Sequence, residues 1–236
     1  MQNEIAKTMS LESLVNREWI LPNGLGGYAS GTFSGINTRK YHGLLVGGFE
    51  PNGGRYMYLA HLEERIFIGE HRFFISAHKY LSDSIYPRGF IHLLDYGLKK
   101  QEVWFRFGKF RDYDLQVIKR IRSLSGKQQV LISYEFVGQT DGVRFDLLPL
   151  VTRRNIHTVR RDAPYHSERG ADWTSTLPFD VCRFLRHKSN PNLSGFSIKY
   201  PQISSRLYIG SHEMVFNHQG EWYHDFQYDL EMQRGY

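Results

Sequence analysis

Apolar and polar residues alternate over most of the chain with a period of two, the repeat of a strand with one face buried. Val130, Ile132, Tyr134 and Phe136 fall on one such face. Tyr56–Ile68 and Arg72–Ile75 flank Gly69-Glu70-His71, which predicts a hairpin. Glu102–Phe107 precedes a turn at Gly108 and a second run, Leu115–Ile121, and Ser125-Gly126-Lys127 then leads into Val130–Phe136. Asp141-Gly142 signals another hairpin before Val143–Leu147. Ser194-Gly195 opens a strand at Phe196–Tyr200, and Arg206–Ile209 and Met214–Asn217 continue the meander. One short helix is predicted over Leu11–Val15, with Ser10 as its N-cap. Turn signals at this spacing predict a mainly β chain folded as an antiparallel β-sandwich. Asn155 to Pro178 breaks the rhythm with a long polar stretch, and so long a loop is usually functional, interfacial or mobile.

Length changes this picture little: 236 residues suit one domain spanning 1–236. The 15 Tyr, 16 Phe and 4 Trp serve either strand packing or stacking on sugar rings. No apolar stretch approaches the roughly 20 residues that span a bilayer, and no apolar leader follows Met1, so no membrane partner is expected. Cys182 is the single cysteine, which excludes an intrachain disulfide and suits a cytoplasmic setting. The net charge of +6 raises a nucleic-acid partner. Its basic pairs (Arg39-Lys40, Lys99-Lys100, Lys119-Arg120, Arg153-Arg154, Arg160-Arg161) are dispersed, and neighbours on a strand face opposite ways. No nucleic acid is expected.

The densest local signal is Asn23-Gly24-Leu25-Gly26-Gly27-Tyr28-Ala29-Ser30-Gly31-Thr32, continued by Gly35-Ile36-Asn37-Thr38-Arg39-Lys40-Tyr41-His42-Gly43-Leu44-Leu45. It is no P-loop, because no Gly-Lys-Ser/Thr follows, and no dinucleotide fingerprint, because Gly24, Gly26 and Gly27 open no evident helix. No two of the 11 histidines stand at His-x-x-x-His spacing, and Cys182 lacks a nucleophile's setting. No metal or other cofactor is expected. Acid–base work on a glycoside needs two positioned carboxylates. Glu63-Glu64, Asp112/Asp114 and Asp225/Asp229/Glu231 are the available sets; Glu63 and Glu64 face opposite ways on a strand, and each set reads as solvated surface charge.

With Glu18-Trp19-Ile20-Leu21-Pro22 before it, the glycine run resembles the N-terminal signature of bacterial and archaeal glycogen debranching enzymes, roughly E-W-L-x-x-N-G-x-G-G-Y-A-S-G-T followed by N-T-R-x-Y-H-G-L-L. Ile20 and Pro22 are small departures. Pro149–His157 resembles the family's Arg-x-x-His element, which makes Arg154 and His157 the matching pair. Glu221–Tyr236 resembles the passage by which relatives leave their N-terminal domain. The resemblance covers the whole chain but only the first of the family's two domains. It implies a β-supersandwich of the kind that precedes an (α/α) toroid, in an enzyme that cleaves α-1,6 branches of glycogen-like α-glucans.

On that footing no residue here is catalytic, and the isolated chain is inactive. The partners are the helical catalytic domain and the glucan, with self-association through any docking surface left bare. Candidate residues of the substrate cleft or domain boundary are Asn23, Gly26, Gly27, Tyr28, Arg39, Tyr41, His42, Arg154 and His157. Each has an alternative internal role: strand connection for the glycines, core packing for Tyr28 and Tyr41, an ion pair for Arg39, a satisfied core histidine for His42. A stand-alone carbohydrate-binding β-sandwich is the alternative for the whole chain.

Overall fold

The computed structural model describes residues 9–48, 54–159, 182–187, 190–199, 206–212, 214–217, 223 and 225–235. Beyond Val159 the long polar stretch to Pro178 lies outside them, as do Tyr200, Trp222 and the side chain of Cys182. The chain divides into two compact units, residues 1–159 with 225–236, and residues 160–224.

In chain order the first unit holds α1 (Leu11–Val15), β1 (Glu18–Pro22), β2 (Tyr28–Thr32), β3 (Gly43–Gly47), β4 (Tyr56–Ile68), β5 (His71–Phe74), β6 (Ala77–Lys79) and β7 (Ile85–Arg88). It continues with β8 (Leu93–Lys99), β9 (Glu102–Phe107), β10 (Leu115–Ser123), β11 (Val130–Gly138) and β12 (Val143–Asn155). The second unit contributes β13 (Cys182–His187), β14 (Asn190–Lys199) and β15 (Arg206–His212), and α2 (Asp229–Met232) returns to the first.

Helix α1 forms as expected, with the Ser10 hydroxyl accepting from the Ser13 N–H. Strands β1-β2-β3-β4-β12 lie side by side with β5 also on β4, β11-β10-β9-β8 form a second antiparallel sheet, and β6-β7 a ribbon. The two larger sheets pack face to face, as expected of a sandwich. Leu62 and Ile66 of β4 and Trp19 of β1 share one core with Val103 and Phe105 of β9 and Val117 of β10. Val130, Ile132, Tyr134 and Phe136 pack against that core together, while the residues between them are exposed. The hairpin at Gly69 forms, with Arg65 opposite Phe74 and Ile68 opposite His71.

Two turn readings need correction. Asp141-Gly142 turns the chain, but β11 and β12 are not partners: β11 pairs with β10 and β12 with β4. Phe145 meets Tyr134 and Phe136 across the sandwich, at centroid distances of 4.8 and 5.1 Å, so the turn carries the chain from one sheet to the other. In the second unit Ser194-Gly195 does not open a strand but lies within β14, Gly195 opposite Gly210. Residues Met214–Asn217 are not a strand, although Ser194 Oγ donates to the Met214 carbonyl at 3.0 Å.

The largest correction concerns Glu63 and Glu64. They do face opposite ways on β4, but both are buried. Glu64 points into the sandwich, where it pairs with Lys119 of β10 and accepts from the Tyr134 hydroxyl at 2.6 Å. Glu63 points the other way, 2.6 Å from the Arg65 guanidinium and 3.7 Å from His78 Nε2 of β6. Both faces of β4 are covered, so neither carboxylate is solvated.

Candidate functional site

The glycine run is a tight connection between β1 and β2, and each glycine answers a specific need. Gly24 and Gly26 adopt φ of +78° and +82°, a region that side chains enter only at a cost. Gly27 has no room: an added Cβ would lie 2.5 Å from the Val46 carbonyl oxygen. Asn23 locks the turn. Its Oδ1 accepts from the N–H groups of Leu25 and Gly27 at 2.8 and 3.0 Å, and its Nδ2 donates to Gln128 Oε1 at 2.8 Å. Gly26→Ala should therefore destabilise the fold by about 1 kcal/mol. Chemical denaturation checks this, and an unchanged unfolding midpoint would remove the argument.

Arg39 and His42 are also held inside the domain. Arg39 Nε donates to Glu18 Oε1 at 2.7 Å, and His42 Nδ1 accepts from the Thr38 N–H at 3.2 Å. Burial, opposed by Glu18 and reinforced by Arg39, drops the His42 pKa to about 4. His42 is thus a neutral, internally bonded histidine near pH 7.

Tyr28, Tyr41, Arg154 and His157 behave differently. The Tyr28 hydroxyl donates to the Tyr41 carbonyl at 3.0 Å, and burial raises its pKa. The Tyr41 hydroxyl lies 3.4 Å from His157 Nδ1, with the two rings edge to face at 5.7 Å. Arg154 closes the group. One guanidinium nitrogen donates to the Lys40 carbonyl and another to the Thr158 carbonyl at 2.9 Å. Residues separated by more than a hundred positions therefore meet at one place. Tyr28, Tyr41 and Arg154 are half-buried and His157 is exposed, so aromatic and cationic groups border solvent together.

The C-terminal segment joins the same neighbourhood. Lys40 is buried 3.8 Å from Glu231, and the Leu230 N–H donates to the Thr38 carbonyl at 3.1 Å. Phe226 stacks on Tyr80 at 5.5 Å, and Lys79 reaches Asp229 at 3.0 Å. Nothing in the sequence couples Lys40 to Glu231, because the pairing depends on a return of the chain over nearly its whole length. Arg55 was likewise missed; its charge acts on Tyr28 and lowers that group's pKa, against the stronger effect of burial.

The described residues contain no group of three or more His, Cys, Asp or Glu side chains able to hold a metal ion, and no helix long and apolar enough to cross a membrane. What the cluster can do chemically is offer ring faces and edges, one imidazole and a guanidinium to a neutral polar surface. No curated protein and no solved structure matches the chain. One family model does match, over residues 17–236, and its description is Glycogen debranching enzyme N terminal.

Proposed function

The chain belongs to the glycogen debranching enzyme N-terminal family, and from that premise we propose that it is a non-catalytic domain. It docks on a helical catalytic domain and helps shape the cleft in which an α-1,6-branched glucan is cut. A cytoplasmic setting fits both the lone cysteine and such a substrate. The observation that supports this reading is the meeting of Tyr28, Tyr41, Arg154 and His157. Three of the segments that resemble the family signature contribute to one half-exposed cluster, although local folding alone needs no such meeting.

Glycoside hydrolysis calls for two carboxylates roughly 5–9.5 Å apart across the bond, reachable by substrate. Glu63 and Glu64 are buried on opposite faces of β4 and already paired. Asp229 is tied to Lys79 and Glu231 to Lys40. These four carboxylates hold the fold together, and on this reading the partner domain supplies the cleft's acid and nucleophile, with exposed Asp112 and Asp114 left as surface charge.

Residues 1–236 alone should release no glucose from branched dextrin. Turnover in the ordinary enzymic range of about 1–1000 per second would overturn the non-catalytic reading. The docking half is tested by adding a helical domain of the same family in trans and following the complex by sedimentation. Tyr41→Ala and His157→Ala should each weaken it about tenfold, the loss of one central contact, with an unchanged circular dichroism spectrum. Equal affinity for both variants and the parent would remove this cluster from the interface.

A further inference from the structure

A second aromatic site lies on the outer face of the β8–β11 sheet. Its backbone ladder brings Ser133, Arg120, Trp104 and Gly97 into one row across the four strands. Leu131, Arg122, Glu102 and Lys99 form the row on one side, and Glu135, Ile118, Arg106 and Asp95 the row on the other. Val103, Phe105 and Phe107 take the buried side of β9, so Trp104 is placed outward by strand alternation. Leu131 and Val137 on the same face are 50% and 45% exposed.

The indole does not stand up from this face. Its Nε1, Cε2 and Cζ2 atoms would all lie 2.6–2.8 Å from a Cβ built on Gly97. A point nearly equidistant from these three atoms lies off the ring plane and beyond the Nε1–Cζ2 edge, so the N–H edge of the indole overhangs Gly97. Any larger residue at position 97 would push the ring away. Trp104 is half-buried, with this edge over the glycine and part of the ring left at the surface. Trp104 Nε1 has no hydrogen-bond acceptor among the described residues, unlike Trp19, whose Nε1 donates to the Thr32 carbonyl at 3.2 Å.

The charges around the ring cancel in pairs. Arg106 meets Asp95 at 3.3 Å, Arg120 meets Glu135 at 2.7 Å, and Arg122 pairs with Glu102. Lys99, in the neighbouring row, is the one cation of these rows outside the pairs, so the surface offers a polyanion little net charge. It offers a half-exposed indole rimmed by carboxylates and guanidinium groups that accept and donate at fixed spacing. That chemistry suits a neutral polyhydroxylated chain, with the apolar face of a sugar ring on the indole and its hydroxyls on the rim.

We propose that Trp104, with Arg120, Ser133 and Glu102 beside it, is a surface binding site for a linear α-glucan chain, separate from the Tyr41–His157 cluster. The α-glucan identity rests on the cleft reading above; the position does not. Such a site would hold a long branched polymer close to the enzyme while the cleft works on one branch point.

Gel electrophoresis of the full chain through immobilised glycogen tests this, with maltoheptaose as the soluble competitor. The native chain should be retarded and released by maltoheptaose. Trp104→Ala should weaken retardation about tenfold, the scale of one stacked aromatic, and Trp104→Phe should recover part of it. Should Trp104→Ala lower the unfolding midpoint, the indole Nε1–H signal of Trp104 in the native chain reads the site instead. It must shift on adding maltoheptaose. No retardation, an unmoved Trp104 signal, or retardation abolished by Tyr41→Ala and kept by Trp104→Ala would each overturn the proposal. Retention on heparin but not glycogen would overturn it too, in favour of a polyanion. Docking to the helical domain is measured separately, so either reading can fail while the other stands.

Discussion

Glu64→Leu should cost the fold about 3–5 kcal/mol, the usual effect of stranding one member of a buried ion pair. Glu64 is fully buried between the sheets, and its Oε1 serves both the Lys119 ammonium and the Tyr134 hydroxyl. Its removal leaves a cation and a hydroxyl donor in the core without their acceptor. Burial, the largest cause of the raised Tyr134 pKa, persists in the variant and opposes ionisation of the phenol as a substitute for the lost carboxylate. Glu64 Oε2 has no hydrogen-bond partner among the described residues, so the arrangement is not an optimised source of stability. A slip of one sheet over the other would separate carboxylate from ammonium, a cost that favours the observed register. The double variant Glu64→Leu/Lys119→Met should accordingly recover most of the loss, as apolar replacements of buried pairs often do. Urea unfolding followed by circular dichroism measures both. A single-variant loss under about 1 kcal/mol would contradict the buried-pair account.

Lowering the pH from 7 to 5 should weaken the fold before the carboxylates titrate. An unfolded histidine titrates near about 6.5, whereas burial, with the nearby charges of His78 and Lys119, depresses His61 to about 3. Its two nitrogens lie 2.7 and 2.9 Å from the Leu62 and Gly35 carbonyls. A protonated ring would satisfy both, but that gain is smaller than the cost of burying the charge. Between these two pKa values the unfolded chain binds a proton that the folded chain refuses, so stability falls as pH drops and is complete only above pH ~6.5. At pH 5 this amounts to about 2 kcal/mol for His61. His42, depressed to about 4, adds in the same direction. His61→Gln should flatten the dependence of the urea midpoint over this interval. Parallel curves for variant and parent would show that His61 is not the group responsible.

The strand pattern was legible because its signals act over a few residues. Alternation at Val130–Phe136 marked the buried face correctly, Ser10 capped its helix, and the β4–β5 hairpin formed at Gly69. Signals of equal strength failed where a choice of partner was involved. Asp141-Gly142 turns the chain whichever strand follows, and the inward residues of β12 are satisfied by β4 and by the aromatic rings of β11 across the core. The cleft candidates divide along the same line. The Asn23 Oδ1 bonds to Leu25 and Gly27 are local and follow from the turn sequence, whereas its Nδ2 bond to Gln128 and the crowding of Gly27 by Val46 come from distant strands. Tyr41 and His157 meet only after the chain has crossed both sheets.

Local sequence therefore determined the strands and the turns, which rest on neighbours within a few positions, and its motifs pointed to the family to which the chain belongs. Only the tertiary structure decided which charges are buried, which histidines stay neutral and which aromatic groups remain outside. Alternation assigns a residue to one of two faces without saying whether that face meets water. For β4 both faces are covered, by the opposing sheet on one side and by His78 and its strand on the other. For β9 the outer face is covered, among the described residues, only by neighbouring side chains of its own sheet, which leaves Trp104 half-buried beside Gly97. Burial is a property of what packs against a strand, and what packs against it comes from distant parts of the chain.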